Sequence, residues 1–427
     1  MTHPGHIASH TVAVCAVLIL AGCAQPTQPV DEPQPETRPF YLGFTPWPYR
    51  SDSDYMEIVY TYDLVQEYGD IVTHHFQQGI PYPEAYAMRS DPQATGLPGY
   101  DAGSGNHSLV YAEVDLRIGQ TDAGGRVYLA IDCVDSLRKN LVGYYGDDWD
   151  SDGSTEQQPR PAPWDTASFS EQRVADAYVS YARAVIDAFS DAGLEVAYFN
   201  YASEISDLLL NDPDEFDDFL VFADRVHSQL EAAYPSLPLM ISVAAKHPHS
   251  SETAEIRSRM DDLTDDIDVL GVSVYPYAFF QPAIEDPDDL PTDWLSAVAD
   301  MAPNTPVAVT ETGWIAEDLS IPAFPLQRSA SEDRQAAYAD TLLREAARLD
   351  AEFVVWFSLI DYSYFWDNTL GRDDLSAIWR DTGLLDYDGV TDLAAGTDLT
   401  SVSIDAAGLS ERQAAGVWGD WLALPHD

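Results

Sequence analysis

From residue 40 onward, short apolar runs alternate with longer stretches in which apolar positions recur every three or four residues. The short runs fall at 40–44, 70–75, 126–132, 195–201, 237–243, 268–275, 306–311 and 352–359, and they are rich in β-branched and aromatic residues. Runs of this length and composition, with little internal polar alternation, read as strands buried on both faces. The stretches 171–192, 213–234, 294–301 and 331–349 carry the helical period, and 411–424 supplies a further helix. Strand and helix in strict alternation predict a parallel sheet with covered faces. Eight such repeats within about 320 residues fit a closed α/β barrel, the (β/α)8 TIM barrel, better than an open doubly wound sheet. No G-x-G-x-x-G follows the first strand, so a dinucleotide-binding reading loses its main support.

Upstream of the repeats the pattern changes. Residues 11–20 are apolar but too few to span a bilayer. They run into Leu20-Ala21-Gly22-Cys23, which resembles a bacterial lipobox, although the preceding residues hold histidines and no Lys or Arg. The resemblance implies a signal peptide over 1–22, a lipidated Cys23 and a membrane-anchored mature protein. Residues 24–39, rich in Pro, Gln and Glu, read as a disordered tether, leaving 40–427 as the barrel. On this reading Cys15 leaves with the signal, and Cys133, alone inside an apolar run, is a buried and inert thiol.

Charge sharpens the picture. The chain has 72 Asp and Glu against 21 Lys and Arg, a formal net charge of −51, and its only lysines are Lys139 and Lys246. Such a surface disfavours nucleic acid and anionic lipid as partners. It is also the composition expected of adaptation to salt, where the Debye length falls to about 3 Å at 1 M and self-repulsion is screened.

Two strand-like runs end in a carboxylate. Val196-Ala197-Tyr198-Phe199-Asn200-Tyr201-Ala202-Ser203 leads to Glu204, and Val307-Ala308-Val309-Thr310 leads to Glu311 and then Thr312-Gly313-Trp314. The C-terminal lip of barrel strands is where TIM-barrel chemistry sits. Two carboxylates about 5 Å apart, one protonated and one ionised, are the requirement of retaining glycoside hydrolysis.

These strings resemble the clan of retaining TIM-barrel glycoside hydrolases. Val309 to Trp314 is similar to the nucleophile motif of several of its families, β-1,3-glucanases among them. Gly271-Val272-Ser273-Val274-Tyr275-Pro276-Tyr277 resembles strand six of arabinogalactan endo-β-1,4-galactanases. The resemblance implies that Glu204 is the acid/base, its pKa raised by burial and by Glu311, and that Glu311 is the ionised nucleophile held by the Tyr275 hydroxyl. It implies substrate stacking on Trp356 at the end of strand eight. Trp314, Tyr277, Tyr364 and Trp366 follow strand ends, where rim subsites are built. The chain departs from the clan at Ser203, where Asn usually precedes the acid/base and binds the sugar 2-hydroxyl.

His74 and His75 end strand two, and alternation turns one of them into the barrel mouth, where it can bind a hydroxyl. Trp47 and Tyr49 are rim aromatics after strand one. Asp148, Asp150 and Asp152, in D-x-D-x-D-G, match the first half of a Ca²⁺ loop, but position twelve is Pro159. Bound Ca²⁺ and a solvated acidic loop both remain open, and the chemistry itself requires no cofactor. The expectation is therefore a monomeric, lipid-anchored hydrolase of a β-linked polysaccharide, facing the periplasm or exterior of the cell envelope. Two alternatives stand beside it: a carbohydrate-binding lipoprotein that has lost activity, and a structural envelope lipoprotein.

Overall fold

The computed structural model describes residues 35–50, 56–76, 109–134, 138, 141, 166–263, 267–322, 326–387, 389 and 402–426. Eight parallel strands close a barrel: β1 (Tyr41–Phe44), β2 (Ile71–Phe76), β3 (Arg126–Ile131), β4 (Glu195–Ala202), β5 (Leu239–Ala244), β6 (Val269–Val274), β7 (Val307–Thr312) and β8 (Phe353–Trp356). Each pairs with its sequence neighbours, and β8 closes on β1 through Tyr41 opposite Phe353. All eight apolar runs are strands. The longer helices are α1 (Met56–Tyr68), α2 (Leu109–Gly119), α3 (Gln172–Asp191), α4 (Ile205–Asn211), α5 (Pro213–Ala233), α6 (Ser251–Arg259), α7 (Glu332–Arg348) and α8 (Gln413–Leu422). The helix expected over 294–301 shortens to one turn, Ser296–Ala299.

Alternation along the strands divides the core in two. Ile71, Tyr128, Tyr198, Met240, Val269, Ala308, Phe353 and Val355 point inward and fill the lower barrel. Their strand neighbours point outward and meet the helices: Tyr178 and Val185 from α3, Phe219 and Phe222 from α5, and Tyr338 and Leu342 from α7 are all fully buried. The plugged lower barrel leaves space only at the C-terminal end of the strands, which is what places the site there.

The unit that contains the barrel begins at Thr37, and Met1–Glu36 forms a separate unit. The last residues of the expected tether therefore belong to the barrel. Arg38 is 4 % exposed, pairs with Asp70 and donates its backbone N–H to the Pro425 carbonyl, while Phe40 stacks on Trp421 of α8. A buried guanidinium needs these partners, so the segment is fixed where a Pro- and Glu-rich composition suggested a free chain. Cys23 and Asp148, Asp150 and Asp152 lie outside the described residues.

Candidate active site

Glu204 and Glu311 line the same small cleft at the barrel mouth, together with Thr45, Thr73, His75, Tyr128, Arg138 and a ring of serines. Irregularities in the strand pairing aim them there. The β4–β5 register slips between Asn200 and Ala202, and the β6–β7 register slips between Val272 and Ser273 so that Ser273 comes level with Glu311. Such bulges turn side chains at strand ends into a site. Glu204 follows the first slip in the left-handed region, φ 52° and ψ 36°. A non-glycine residue there costs about 1 kcal/mol. The turn is fixed by its N–H donating to Ser242 Oγ at 3.0 Å and by Asn200 Oδ1 accepting from the Ala202 N–H at 3.0 Å. Asn200 is thus a buried support of the turn and makes no approach to a ligand; its Nδ2 is used on the Tyr128 hydroxyl at 2.8 Å.

The two carboxylates have different surroundings. Glu204 Oε2 accepts from Arg138 Nη2 at 3.0 Å, and its Oε1 accepts from Ser273 Oγ at 2.8 Å. Glu311 Oε1 accepts a short bond from the Tyr275 hydroxyl, 2.6 Å, as the sequence predicts. His75 faces the mouth as expected, its Nε2 2.9 Å from Asp132 and 3.3 Å from Ser203 Oγ. Its neighbour His74 points outward, fully buried against Tyr62 and Thr121.

Ionisation runs opposite to the sequence expectation. Burial works to raise Glu204, but Arg138 and the Ser273 hydroxyl outweigh it and hold this carboxyl below its ordinary value. Glu311 is pushed up to about 7, by burial first and then by the charge of Glu204, with the Tyr275 bond opposing. Arg138 thus favours the ionised form of Glu204, while burial and the charge of Glu204 favour the protonated form of Glu311. The physical reason is Arg138, a cation on the loop after β3 that no pattern in the sequence placed beside Glu204. Asp132, 1 % exposed, is held down to about 2 despite burial because His75 and Arg138 both face it.

The expected stacking residues are corrected. Trp356 is fully buried on the outside of the barrel, where its indole N–H donates to the Thr382 carbonyl and its ring meets Trp418 and Tyr338. Phe353 and Val355 point inward, so alternation turns Trp356 out. Trp314, 1 % exposed, stacks on Tyr338 at 4.8 Å, and Tyr277, equally buried, donates to the Ile378 carbonyl. None of the three can meet a sugar. Beside Tyr275 of the site, a chain of aromatics links Trp379, Phe279, Phe357 and Trp47. Trp47 meets Phe357 at 5.6 Å, Phe357 meets Trp379 at 6.4 Å, and Trp379 touches Phe279 and Tyr275, each at 5.9 Å. Phe279 is 37 % exposed. Trp47 is a sequence candidate; Phe357 stands one residue beyond Trp356, and Trp379 ends a short 3-10 turn, Ser376–Trp379, that carries no periodic signal.

A second acidic group, Glu317, Asp361 and Asp386, has its oxygens close enough to hold a cation. Arg412 already occupies it, with Nη2 on Asp361, on Glu317 at 3.1 Å and on Asp386 at 3.3 Å. This cluster ties the segment before α8 to the barrel and is not a metal site. Cys133 is buried and its thiol is pushed up by burial, consistent with an inert side chain.

The profile of Glycosyl hydrolase family 53 matches residues 137–338. Among solved structures, the chain is similar to the GH53 catalytic domain of Ignisphaera aggregans, at 16 % identity and TM-score 0.46, covering 84 % of this chain and 89 % of that one. It is similar to the intracellular xylanase of Thermoanaerobacterium saccharolyticum, at 12 % identity and TM-score 0.46, covering 89 % and 95 %. A β-1,3-glucanosyltransferase of Rhizomucor miehei matches at 12 % identity and TM-score 0.43, covering 82 % and 94 %. No curated protein matches significantly. The family match begins just before Arg138 and ends within α7, so it takes in strands β4 to β7 and both mouth glutamates, and the chain is a TIM barrel similar over that stretch to Glycosyl hydrolase family 53.

Proposed function

We propose that Glu204 is the acid/base and Glu311 the nucleophile of a retaining hydrolase of β-linked, neutral glycans. The observation that carries this reading is that two strand-end carboxylates share one cavity, and only Glu311 is held by a tyrosine hydroxyl. In the working cycle Glu311 Oε attacks the anomeric carbon while Glu204 gives its proton to the departing glycosidic oxygen. The resulting glycosyl ester on Glu311 is then cleaved by water, which Glu204 deprotonates. Tyr275 fixes the Glu311 carboxylate for attack. A neutral sugar is favoured because the carboxylates of Asp132 and Glu204, both held low, outnumber the Arg138 guanidinium between them, so an anionic ring meets net repulsion. The wall of Trp47, Phe357, Trp379 and Phe279 offers flat faces to the C–H surfaces of sugar rings.

No step needs a cofactor, and a Ca²⁺ ion on Asp148, Asp150 and Asp152 would serve only to order that loop. The barrel acts as a monomer, tethered through lipid on Cys23 to the cell envelope and meeting polymers outside the cytoplasm. Two acyl chains hold a protein on a membrane where one does so marginally. Replacing Cys23 by Ser should move the protein from the membrane fraction to the soluble one; identical partition would refute the anchor.

A panel of β-glucans, β-galactans and β-mannans tests the function. The wild type should release reducing sugar from at least one polymer, and Glu204→Ala should lose polymer hydrolysis yet keep turnover of aryl glycosides whose leaving groups need no proton. Equal loss on both substrate types would exclude Glu204 as the acid.

A further inference from the structure

Gly271 of β6 stands level with Ser242 of β5 in the parallel register, two residues before Ser273, which is level with Glu311. A Cβ on Gly271 would meet Ser242 Cβ and Thr310 Cγ2 of β7, each at 2.7 Å, and the Ile241 carbonyl oxygen at 3.0 Å. Real Cβ atoms do not approach so closely, so β5, β6 and β7 close up here only because position 271 has no side chain. We propose that Gly271 is a positioning residue: its empty side lets Ser242 and Thr310 close over β6, and that closure sets the places of Glu204 and Glu311. The inference rests on the functional reading above for the roles of the two glutamates, but the spacing can be observed without turnover.

Each side-chain neighbour of Gly271 carries one of the glutamates. Ser242 Oγ accepts the Glu204 backbone N–H at 3.0 Å, which fixes the left-handed turn at the end of β4. Asn200 Nδ2 donates to the same Ser242 oxygen at 3.4 Å, and Ser206 Oγ of α4 accepts the Ala244 N–H at 2.9 Å. The end of β4 and the start of α4 are therefore both tied to β5. Thr310 immediately precedes Glu311, so a displaced Thr310 takes Glu311 with it. The strand that bears Gly271 also supplies the donors to both carboxyls. Ser273 donates to Glu204 Oε1 at 2.8 Å, and Tyr275 donates to Glu311 Oε1 at 2.6 Å. A methyl at 271 must push β5 or β7 away from the strand whose hydroxyls hold the two carboxyl groups. It would strike Ser242 at Cβ and Thr310 on a stiff β-branched side chain, so no simple change of rotamer relieves it.

The test begins with Gly271→Ala, alone and combined with Thr310→Ser, which keeps the hydroxyl and deletes the Cγ2 that the new methyl would strike. Amide hydrogen exchange followed by NMR reads the spacing without a substrate. In Gly271→Ala the Glu204 amide should exchange about tenfold faster than in the wild type, the effect of losing one hydrogen bond. Amides of β8, on the far side of the barrel, should keep their rates. On an active substrate kcat should fall by up to about 100-fold with KM little changed, because a displacement of about 1 Å costs that much. Adding Thr310→Ser should recover a large part of both losses. Should Gly271→Ala fail to fold, Ser242→Ala adds no volume and removes only the hydroxyl. It should speed exchange of the same amide and lower hydrolysis of unactivated glycosides more than that of aryl glycosides with good leaving groups. A purely structural role would lower both activities alike. A Glu204 amide that exchanges at the wild-type rate in the substituted proteins, or a kcat untouched by Gly271→Ala, overturns the inference. Faster exchange in a chain whose wild type cleaves no glycan would support the spacing and refute the hydrolase reading.

Discussion

At the scale of single residues, the two glutamates were legible because each closes an apolar strand-like run at the lip where barrel chemistry sits. Tyr275 was legible through its motif, and His75 through alternation at a strand end. Arg138 was not. It stands in a polar, Asp-rich stretch with no periodicity, and its partnership with Glu204 spans 66 residues of sequence. It nevertheless holds Glu204 below its ordinary value, opposite to the shift the sequence predicts. That reversal has a consequence for stability. Glu311 titrates near 7 in the folded chain and near its ordinary carboxyl value when unfolded, so the folded state binds this proton more tightly. The associated stability is complete below about pH 4.5 and is lost as pH rises through 7. Glu311→Gln cannot lose a proton and keeps an oxygen to accept from Tyr275. The variant should therefore match the wild type near pH 4.5 and exceed it at pH 8, by up to about 3 kcal/mol. Thermal unfolding of the two proteins at both pH values checks this, and equal stability at pH 8 would mean that Glu311 is not strained by ionisation.

At the scale of elements, the sequence predicts seven strands to within two residues and the eighth ends three residues early at Trp356, because burial on both faces leaves a continuous apolar signature. Which face a given residue takes was not visible. A strand apolar on both sides carries no polar alternation to set its phase, so the sequence does not tell that Trp356 faces the helices and Phe357 the barrel side. The pair Trp356 and Trp379 separates packing from binding. Trp356→Phe removes a buried indole and its bond to the Thr382 carbonyl. It should lower stability by about 1 to 3 kcal/mol and leave KM for polymer unchanged. Trp379→Ala should raise KM about tenfold, equivalent to losing about 1.4 kcal/mol of binding, with a smaller effect on kcat. If KM responds to Trp356 and not to Trp379, the aromatic wall has been drawn on the wrong side of the strand.

At the scale of the molecule, alternating strand and helix specified the closed barrel, since eight covered parallel strands of this length have few other arrangements. The small acidic cluster around Arg412, which ties α8 to the loops after β7 and β8, could not be read, because its members are separated by up to 95 residues. The formal charge of −51 remains the dominant property of the whole chain. Self-repulsion of that size is reduced as salt shortens the Debye length from about 10 Å at 0.1 M to about 3 Å at 1 M. The unfolding temperature should rise by several degrees or more across that range, and a flat response in circular-dichroism melts would show that the charges are already compensated locally.

The central claim is that Glu311 forms a covalent ester with the sugar while Glu204 serves as acid and base. Its most direct test is trapping with activated 2-deoxy-2-fluoro β-glycosides of the gluco, galacto and manno series, followed by intact mass and peptide mapping. Slowed breakdown of the glycosyl-enzyme lets the ester accumulate. The account predicts one added fluorosugar per chain, located on Glu311 and absent from Glu311→Gln. A label on any other residue, or an active wild type that inverts the anomeric centre of its product and accumulates no adduct, would contradict it.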